Sequence, residues 1–315
     1  MKRVTIGDVA AHAGVSTATV SRVLNDGLVA ESTAAKVWAA AEFLGYSPNA
    51  LTRSIFAGRS STIGVVIRDL SSPFYLDLIR GIDEVAAASD SPVMLASTYR
   101  RAEREAAQVR AMDQHRVRGL VMTADETADS HARQMAENGT PCVIVARTVP
   151  GLHSVSLDDA AAGRLMAAHL ADCGRARVGI VSGSHRPTQV KRVDGLRQGL
   201  SERDLPQPEE VLVGNENEVD GAVGSLLQRN DAIVCTTGRL TVAVHAALTA
   251  RGLRMPDDIG FLTMDDFAWA GTLGISVVAQ PSYEMGRRAA ELVVEEPSAP
   301  ARIVFQPTLI ARGSC

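Results

Sequence analysis

From Ile63 to about Met264, short apolar runs alternate with stretches of helical periodicity, and this alternation constrains the fold more than any other feature of the chain. The runs are bounded by turn residues and read TIGVVI, PVMLAS, RGLVMTA, CVIVAR, RVGIVSG, DAIVCTT and DIGFLTM. Near-continuous apolar strands that alternate with helices are typical of parallel sheets covered on both faces. Seven such units, with a weaker stretch around 150–159, predict an α/β core of two doubly wound lobes.

The first 45 residues have a different texture, that of three short helices. Thr5 and Asp8 resemble a capping box at the start of the first helix. Gly14 breaks that helix, and Ser16 is a suitable N-cap for the second. A third helix is predicted over 32–44, with a glycine directly after it. Two short helices joined by a tight turn and closed by a third predict an all-α helix-turn-helix domain, so the 315-residue chain contains at least two domains.

Charge is unevenly distributed between these two regions. Residues 1–59 contain six basic and four acidic side chains, whereas the rest of the chain carries a net charge of −6. This balance excludes a protein that coats nucleic acid along its whole surface, but a basic N-terminal segment suits an acidic partner.

The second helix has one outer face made of short side chains and a single arginine. Thr17 and Ser21 lie one turn apart, as do Ala18 and Arg22, so the four share that face. A helix barely fits the major groove of DNA, and short side chains allow close approach to the bases. Arg22 is suited to grip a guanine through two hydrogen bonds. The alternative is that Arg22 pairs with an acid on an ordinary solvated surface.

Motifs along essentially the whole chain resemble those of the lac and purine repressor family of bacterial transcription regulators. The resemblance is carried by VTIGDVAAHAGVSTATVSRVLN, AAEFLGYSPNALTRS, TIGVVIRDLSSPFY, LTMDDF and QPSYEMG. It implies a helix-turn-helix head, a hinge helix and a two-lobed core like that of periplasmic sugar-binding proteins. The domains would then be 1–46 for the head, 47–60 for the hinge and 61–315 for the effector-binding and dimerisation core. Within the core, lobe 1 would comprise about 61–157 and 280–300, and lobe 2 about 158–279 and 301–315.

The resemblance also implies which residues contact DNA. In the family, paired hinge helices insert an apolar residue into the minor groove, and Ile55 occupies that position here, where leucine is more usual. The alternative for Ile55 is ordinary linker packing. The residues expected to contact bases or phosphates are Thr5, Ser16, Thr17, Ala18, Thr19, Ser21, Arg22, Asn25, Asn49, Ala50, Arg53 and Ile55.

Effector-binding residues are expected outside the carboxyl ends of the strands, where ligands bind in doubly wound sheets. RDLSSPFY resembles the family's loop with an aromatic residue in the cleft, and KRVDGLRQGL resembles its helix with an effector-binding arginine. The residues expected to contact the effector are Asp69, Phe74, Tyr75, Ser97, Arg147, Arg192, Thr237, Asp265 and Trp269. For Asp265 and Arg192 the alternatives are a helix cap and a surface salt bridge, and Trp269 is equally suited to the core.

Two positions depart from the family pattern. Ala146 stands where the family often has an aspartate, and Thr237-Gly238 replaces a common Asn-Asp pair. Two polar effector contacts are therefore missing, and a sugar or related metabolite that is less hydroxylated or differently charged becomes a candidate.

Catalytic and cofactor-binding motifs are weak. GIVSGS lacks both the dinucleotide-binding glycine pattern and the P-loop lysine, and the seven histidines show no metal-ligand spacing. The four cysteines are far apart, which favours free thiols in a reducing compartment. Because no leader or membrane-spanning run is recognised, we expect a cytoplasmic protein. Because the motifs are weak, we expect no cofactor, metal or catalytic activity.

The sequence therefore predicts a homodimeric repressor that binds a nearly palindromic operator and responds to a small effector between its lobes. Two alternatives share parts of this architecture. A solute-binding protein would need an export signal and no helix-turn-helix, and a regulator controlled by a protein co-regulator would dock it on lobe 1.

Overall fold

The computed structural model describes residues 4–24, 27–46, 60–123 and 126–315. They belong to two compact units. One comprises Met1–Ser61 with His115–Val117, and the other comprises Thr62–Gln114 with Arg118–Cys315. The predicted hinge at 47–60 falls almost entirely outside the described residues.

The helical head has three helices among its described residues: α1 Ile6–Ala13, α2 Thr17–Leu24 and α3 Glu31–Leu44. The predicted capping box is present, since Thr5 and Asp8 each receive a backbone N–H from the other. Gly14 and Gly45 end α1 and α3 in the left-handed region, at φ of 67° and 63°. Helix α3 starts one residue earlier than predicted.

One apolar cluster holds the three head helices together. Its buried members are Val9, Ala10, Val20, Val23, Val37, Ala40 and Ala41. They recur at helical spacing on α1, α2 and α3, which confirms the periodicity that predicted these helices.

The larger unit alternates strands and helices in the order that the apolar runs predict. Its strands are β1 Ile63–Ile67, β2 Val93–Ser97, β3 Gly119–Met122, β4 Cys142–Val145, β5 His153–Leu157, β6 Val178–Ser182, β7 Glu209–Leu212, β8 Ala232–Cys235, β9 Gly260–Met264, β10 Ser276–Ala279, β11 Arg302–Phe305 and β12 Thr308–Ile310. Its helices are α4 Pro73–Ala88, α5 Ala102–Gln114, α6 Asp129–Glu137, α7 Asp159–Asp172, α8 Pro187–Ser201, α9 Val219–Leu226, α10 Thr241–Ala250, α11 Ala268–Thr272 and α12 Ser282–Glu295.

Two sheets with the same winding form the two lobes. In the described chain, lobe 1 has the strand order β11-β5-β4-β3-β1-β2, and lobe 2 has the order β12-β10-β9-β8-β6-β7. All pairings are parallel except that of β10 with β12. The strand order reverses between β1 and β3 in lobe 1 and between β6 and β8 in lobe 2. These are the topological switch points at which doubly wound sheets bind ligands.

The chain crosses between the lobes three times within the described residues: at 158, at 280–281 and at 306–307. The predicted lobe boundary is therefore wrong at the third crossing. Residues 301–305 were expected in lobe 2, but β11 pairs with β5 in the sheet of lobe 1, from Arg302 opposite Ser154 to Phe305 opposite Leu157. The chain crosses only after β11, because β11 is the sixth strand of the sheet and covers the edge of β5.

Each lobe contains one pair of helices whose backbones nearly touch. In lobe 1, a Cβ atom on Gly81 of α4 would lie 2.0 Å from the carbonyl oxygen of Tyr283 in α12. In lobe 2, a Cβ atom on Gly163 of α7 would lie 2.0 Å from the carbonyl oxygen of Arg192 in α8. Only glycine permits these approaches, and they bring the helices that follow β1 and β6 against the helices that enter each lobe.

Candidate functional site

Helix α2 begins at a defined turn with a side-chain cap. The N–H of Thr19 donates to Oγ of Ser16 at 3.1 Å, and the two hydroxyl oxygens are 2.9 Å apart. Ser16 therefore caps α2, as its position predicts. Thr17 and Ala18, at the start of the first turn, are exposed.

The outer face of α2 is open to solvent. Thr17, Ala18 and Arg22 are exposed, whereas Val20 and Val23 on the opposite side are buried in the head core. Thr19 and Ser21 are half-buried at the edge of that face. The result is a shallow, small-residue surface with one guanidinium group on it.

The remaining predicted DNA contacts divide into two groups. Thr5 is exposed and caps α1, with its hydroxyl donating to the carboxylate of Asp8 at 2.7 Å. The other group, namely Asn25, Asn49, Ala50, Arg53 and Ile55, lies outside the described residues.

A polar cleft of about 410 Å³ lies between the two lobes, at the carboxyl ends of their strands. Its described lining follows β1, β2, β6, β7 and β8, and consists of Arg68, Asp69, Ser72, Tyr75, Tyr99, Arg100, Gly183, Ser184, Arg186, Gln189, Gly214, Thr237 and Arg239. The cleft therefore occupies both switch points at once. Its volume suits a small metabolite.

Arginine dominates the charge of the cleft. Arg68 and Arg100 come from lobe 1, Arg186 and Arg239 come from lobe 2, and Asp69 is the one acidic residue among the described lining residues. The carboxylate of Asp69 accepts hydrogen bonds from the backbone and hydroxyl of Ser71, at 3.0 and 2.7 Å, and lies 3.3 Å from Nε of Arg100. Its negative charge is thus already engaged within lobe 1.

Two ionisable groups show the electrostatics of the cleft. Burial lowers the pKa of Arg239, and the neighbouring positive charge of Arg100 lowers it further. Burial raises the pKa of Tyr75, while the positive charges of Arg186 and Arg68 act in the opposite direction. Both shifts report a partly desolvated space in which positive charges lie close together.

The structure brings three of the predicted effector residues, Asp69, Tyr75 and Thr237, to the lining of the cleft. Asp265 and Arg192 are instead buried in one polar network that contacts Thr236 and Gly238, the neighbours of Thr237. Arg192 donates to Asp159 Oδ1 at 2.7 Å, to the carbonyl of Thr236 at 3.0 Å and to Gln280 Oε1 at 3.4 Å. Gln280 in turn donates to Asp265 Oδ1 at 2.6 Å.

This network ties lobe 2 to the crossings between lobes. Asp159 follows the first crossing and Gln280 lies in the second. Burial raises the pKa values of both Asp159 and Asp265, and the positive charge of Arg192 offsets part of each shift. Asp265 also accepts the N–H of Gly238 at 3.2 Å. In this conformation the arginine and both carboxylates are engaged with protein groups.

The other four predicted effector residues lie elsewhere. Phe74 packs edge-on against Tyr75, with ring centroids 5.1 Å apart. Ser97 Oγ is 3.5 Å from the carbonyl of Arg68.

Arg147 donates to both carboxylate oxygens of Asp129, beside a separate depression lined by α6 and the loop after β4. Trp269 stacks on Phe267, with centroids 4.9 Å apart, at the edge of the lobe 2 core.

Sequence reasoning missed the cleft arginines Arg68, Arg100, Arg186 and Arg239. Arg68 directly follows β1, and Arg186 directly precedes the proline that opens α8. A usable signal was therefore present: positive residues at the carboxyl ends of strands and at helix starts.

A group of potential metal ligands lies in lobe 2, away from the lining of the cleft. His169, Cys173 and Cys315 place their ligand atoms within 4.8 Å of one another. Burial raises the pKa of the Cys315 thiol to about 12, so the thiol stays protonated at neutral pH. Within the described ranges, no helix combines the length and apolar character needed to cross a bilayer.

Two family profiles match the chain. One, described as "Bacterial regulatory proteins, lacI family", matches residues 5–49. The other, described as "Periplasmic binding proteins and sugar binding domain of LacI family", matches residues 60–312. Residues 50–59 lie between the two matches.

Individual relatives agree with these profiles. The ribose operon repressor of Escherichia coli K12 is 30% identical, over 98% of this chain and 99% of the relative. Catabolite control protein A of Priestia megaterium is also 30% identical, over 93% of this chain and 92% of the relative. A crystal structure titled as the lac repressor dimer bound to operator and the anti-inducer ONPF has a TM-score of 0.85 at 21% identity, covering 99% of each chain, and supports the fold. A three-helix head with an exposed small-residue face on α2, a two-lobed core with an interlobe cleft and two profiles that together span nearly the whole chain lead to one conclusion: the protein belongs to the LacI family of bacterial regulatory proteins.

Proposed function

We propose that this LacI-family regulator is a repressor that binds a nearly palindromic operator as a homodimer and is switched by a small molecule in the interlobe cleft. The single observation that carries the DNA-binding part is the capped, exposed face of α2. Thr17 and Ala18 present methyl groups that suit contact with thymine, and Arg22 presents a fork of donors that suits guanine. Repression agrees with the ribose operon repressor among the relatives.

Dimerisation is supported by exposed apolar side chains on lobe 1. Leu70, Leu76 and Leu95 are all exposed, and they lie in or beside α4 and β2. Strand β2 is also an edge of its sheet, with unpaired backbone groups along one side. A second copy that covers this region would bury the leucines, and two-fold symmetry would present two copies of α2 to two half-sites.

Control by a small molecule is supported by the position of the cleft. A ligand that contacts both lobes binds one relative orientation of them more tightly than another, and that difference in affinity shifts the equilibrium between orientations. The crossings at 158, 280–281 and 306–307 lie between the lobes and would transmit such a change. The ribose operon repressor among the relatives and the sugar-binding description of the matching core profile favour a sugar-derived effector.

The two alternatives are disfavoured for different reasons. A solute-binding protein has no use for the helical head. The relatives are named as regulators, which also disfavours an enzyme. A regulator of DNA would act in the cytoplasm, where the operator is. Control by a protein co-regulator on lobe 1 would leave the interlobe cleft without a ligand, so ligand binding separates the two schemes.

The DNA-binding proposal is tested by selecting operators from random duplexes with the 315-residue chain. Binding of the selected operator and of a scrambled duplex is then measured by fluorescence anisotropy. Arg22→Ala is expected to reduce the preference for the selected operator by about 10- to 100-fold, the effect of losing one bidentate base contact per half-site. Lys36→Ala removes an exposed positive charge from α3 and serves as the control. An unchanged preference in Arg22→Ala would contradict the assignment of α2.

A further inference from the structure

We infer that the effector of this cleft is a small anion, a sugar-sized metabolite that carries a phosphate or carboxylate group. The inference rests on the proposed function, because it names the chemical class of the ligand that the interlobe cleft binds.

Positive charge predominates in the described lining of the cleft. Of the described residues in its lining, four are arginines and one, Asp69, is acidic. Asp69 is held by Ser71 and lies against Arg100. An oxyanion in this space would be attracted by guanidinium groups from both lobes, which supply the paired donors that phosphate and carboxylate accept.

Arg239 lies in the turn after β8 and is partly buried. Within the described ranges, its guanidinium makes no hydrogen bond or ion pair, although Glu216 and Asp69 exert a weaker electrostatic attraction on it. Burial and the charge of Arg100 both lower its pKa, so the charged form is held where its surroundings disfavour it. A bound anion would reverse that balance, because it would supply the opposite charge and the missing acceptors.

Two helices, α4 and α8, start at the cleft. The N-cap residues of α4 and α8 are Ser72 and Arg186, and both residues line the cleft. Neither provides a side-chain cap, and each helix has proline in its first turn. The partial positive charges of two helix N-termini from two lobes therefore add to that of the arginines.

Free carboxylates, the strongest acceptors for sugar hydroxyls, are scarce among the described residues at the cleft. Asp265 accepts from Gln280 and Gly238, and Asp159 accepts from Arg192. These two carboxylates, like that of Asp69, are thus already engaged, while the described lining carries four guanidinium groups. A neutral sugar needs acceptors as well as donors, whereas an oxyanion needs donors alone.

The experiment uses the 315-residue chain and isothermal titration calorimetry. The probes are glucose, glucose 6-phosphate and gluconate as one matched set, ribose and ribose 5-phosphate as another, and inorganic phosphate. We expect a charged member of a set to bind at least about 10-fold more tightly than its neutral parent, and the affinity to fall as salt is added. The phosphate and gluconate arms distinguish phosphorylated from carboxylated ligands, and inorganic phosphate reports on the anion site without any sugar.

Arg239→Gln is expected to weaken binding of the charged probe by about 10- to 100-fold, the loss expected for a charged hydrogen-bonding group. The matched control is Arg229→Gln, which removes an exposed arginine of lobe 2 whose partner is Glu209, outside the cleft. Unchanged binding in Arg229→Gln and weaker binding in Arg239→Gln support the inference.

Three results would overturn it: a neutral sugar that binds as tightly as its charged counterpart, a charged probe whose affinity is the same in Arg239→Gln, or the absence of binding by every anion including inorganic phosphate. Failure of the proposed function is seen separately, in the operator experiment. A neutral sugar that binds the cleft and causes release of operator DNA would leave the proposed function intact. It would contradict the inference of an anionic effector.

Discussion

The two lobes share one construction and differ in where they place charge. In both lobes the helix after the first strand packs backbone to backbone against the helix that enters the lobe, through glycines at corresponding places. In lobe 2 this contact carries an ion pair that is almost completely buried, with Arg192 and Asp159 side chains 8% and 5% exposed. In lobe 1 the corresponding charges, Arg287 and Glu84, are 36% and 56% exposed. The same backbone packing therefore tolerates either an ionic or an apolar interior.

The difference assigns unlike tasks to the two lobes. Lobe 1 keeps the charges of this helix contact on the surface, although its separate Arg147–Asp129 pair is largely buried, and it presents exposed leucines, which suits a surface that meets another subunit. The buried pair of lobe 2 continues through Gln280 into a crossing between the lobes. The interior of lobe 2 is therefore hydrogen-bonded to the second crossing between the lobes.

The largest expected effect comes from breaking the buried pair. Arg192→Met should destabilise lobe 2 by about 3–5 kcal/mol, because it leaves the carboxylate of Asp159 buried without its partner. Urea unfolding followed by the fluorescence of Trp269, in a Trp38→Phe background, reports on lobe 2 alone, since the chain has two tryptophans. A loss below about 1 kcal/mol would mean that the pair behaves like a surface one.

The same variant has a pH dependence with a defined sign. Burial already raises the pKa of Asp159, and removal of Arg192 removes the opposing charge. The folded state then binds a proton that the unfolded state releases, so the stability deficit of Arg192→Met should shrink as the pH falls from neutral through that raised pKa. Unfolding curves between pH 7 and pH 5 measure it, and a deficit that grows on acidification would contradict the assigned cause.

A smaller effect is expected from closing the helix contacts. Gly81→Ala in lobe 1 and Gly163→Ala in lobe 2 should each cost about 1–3 kcal/mol, because the added methyl group meets a backbone carbonyl oxygen. Gly221→Ala is the control, since it lies in α9 with nothing within 4 Å of the added carbon and should gain up to about 1 kcal/mol. Equal tolerance at all three positions would show that the lobes do not depend on these approaches.

The surface pair of lobe 1 should matter least. Arg287→Met is expected to change stability by no more than about 1 kcal/mol, because its contacts with Glu84 and Glu291 are solvent-screened. Thermal unfolding of the wild type and the variant at two salt concentrations checks this. A loss comparable with that of Arg192→Met would remove the distinction between the lobes.

Acidification should lower the stability of lobe 1, whereas it should reduce the stability deficit of Arg192→Met. His153 Nδ1 accepts the N–H of Ala301 at 3.0 Å, and burial lowers the pKa of this imidazole from 6.5. Protonation abolishes the acceptor, so stability should fall as the pH drops from 6.5 through the lowered pKa. In His153→Gln the fall in melting temperature between pH 7 and pH 5 should be smaller than in the wild type. An identical fall would place the acid-sensitive group elsewhere.

Local signals explain what the sequence predicted well. The helix ends of the head were predictable because a capping box and left-handed glycines act within four residues of the boundary that they set. Seven of the twelve described strands were predictable because buried parallel strands are apolar on both faces, whereas β5, β7, β10, β11 and β12 were not among the predicted runs. Strand β11 was missed because RIVF is a short, half-buried edge strand whose assignment depends on β5, about 150 residues earlier.

The sequence predicted a cleft at the strand ends between the lobes, but it did not predict that arginines would dominate the described lining. Asp69, Tyr75 and Thr237 follow strand ends that any doubly wound sheet would bring together. The convergence of four arginines depends on two sheets facing each other. The engagement of Arg192 with Asp159 and Gln280 depends on three segments that meet only in the folded lobe, and no local pattern in KRVDGLRQGL distinguishes an arginine that faces the cleft from one that faces a neighbouring helix.

The three crossings in the described chain also determine what kind of motion the lobes can make. A single linker would allow the lobes to swivel in any direction. Here the first and third crossings are bonded, since the N–H of Asp158 donates to the carbonyl of Phe305 at 2.9 Å, and the second is anchored through Gln280. Twisting would stretch at least one of three such connections, whereas bending about a line across them strains each only slightly. The core therefore has a single preferred axis, and a ligand is expected to produce a rotation of fixed direction.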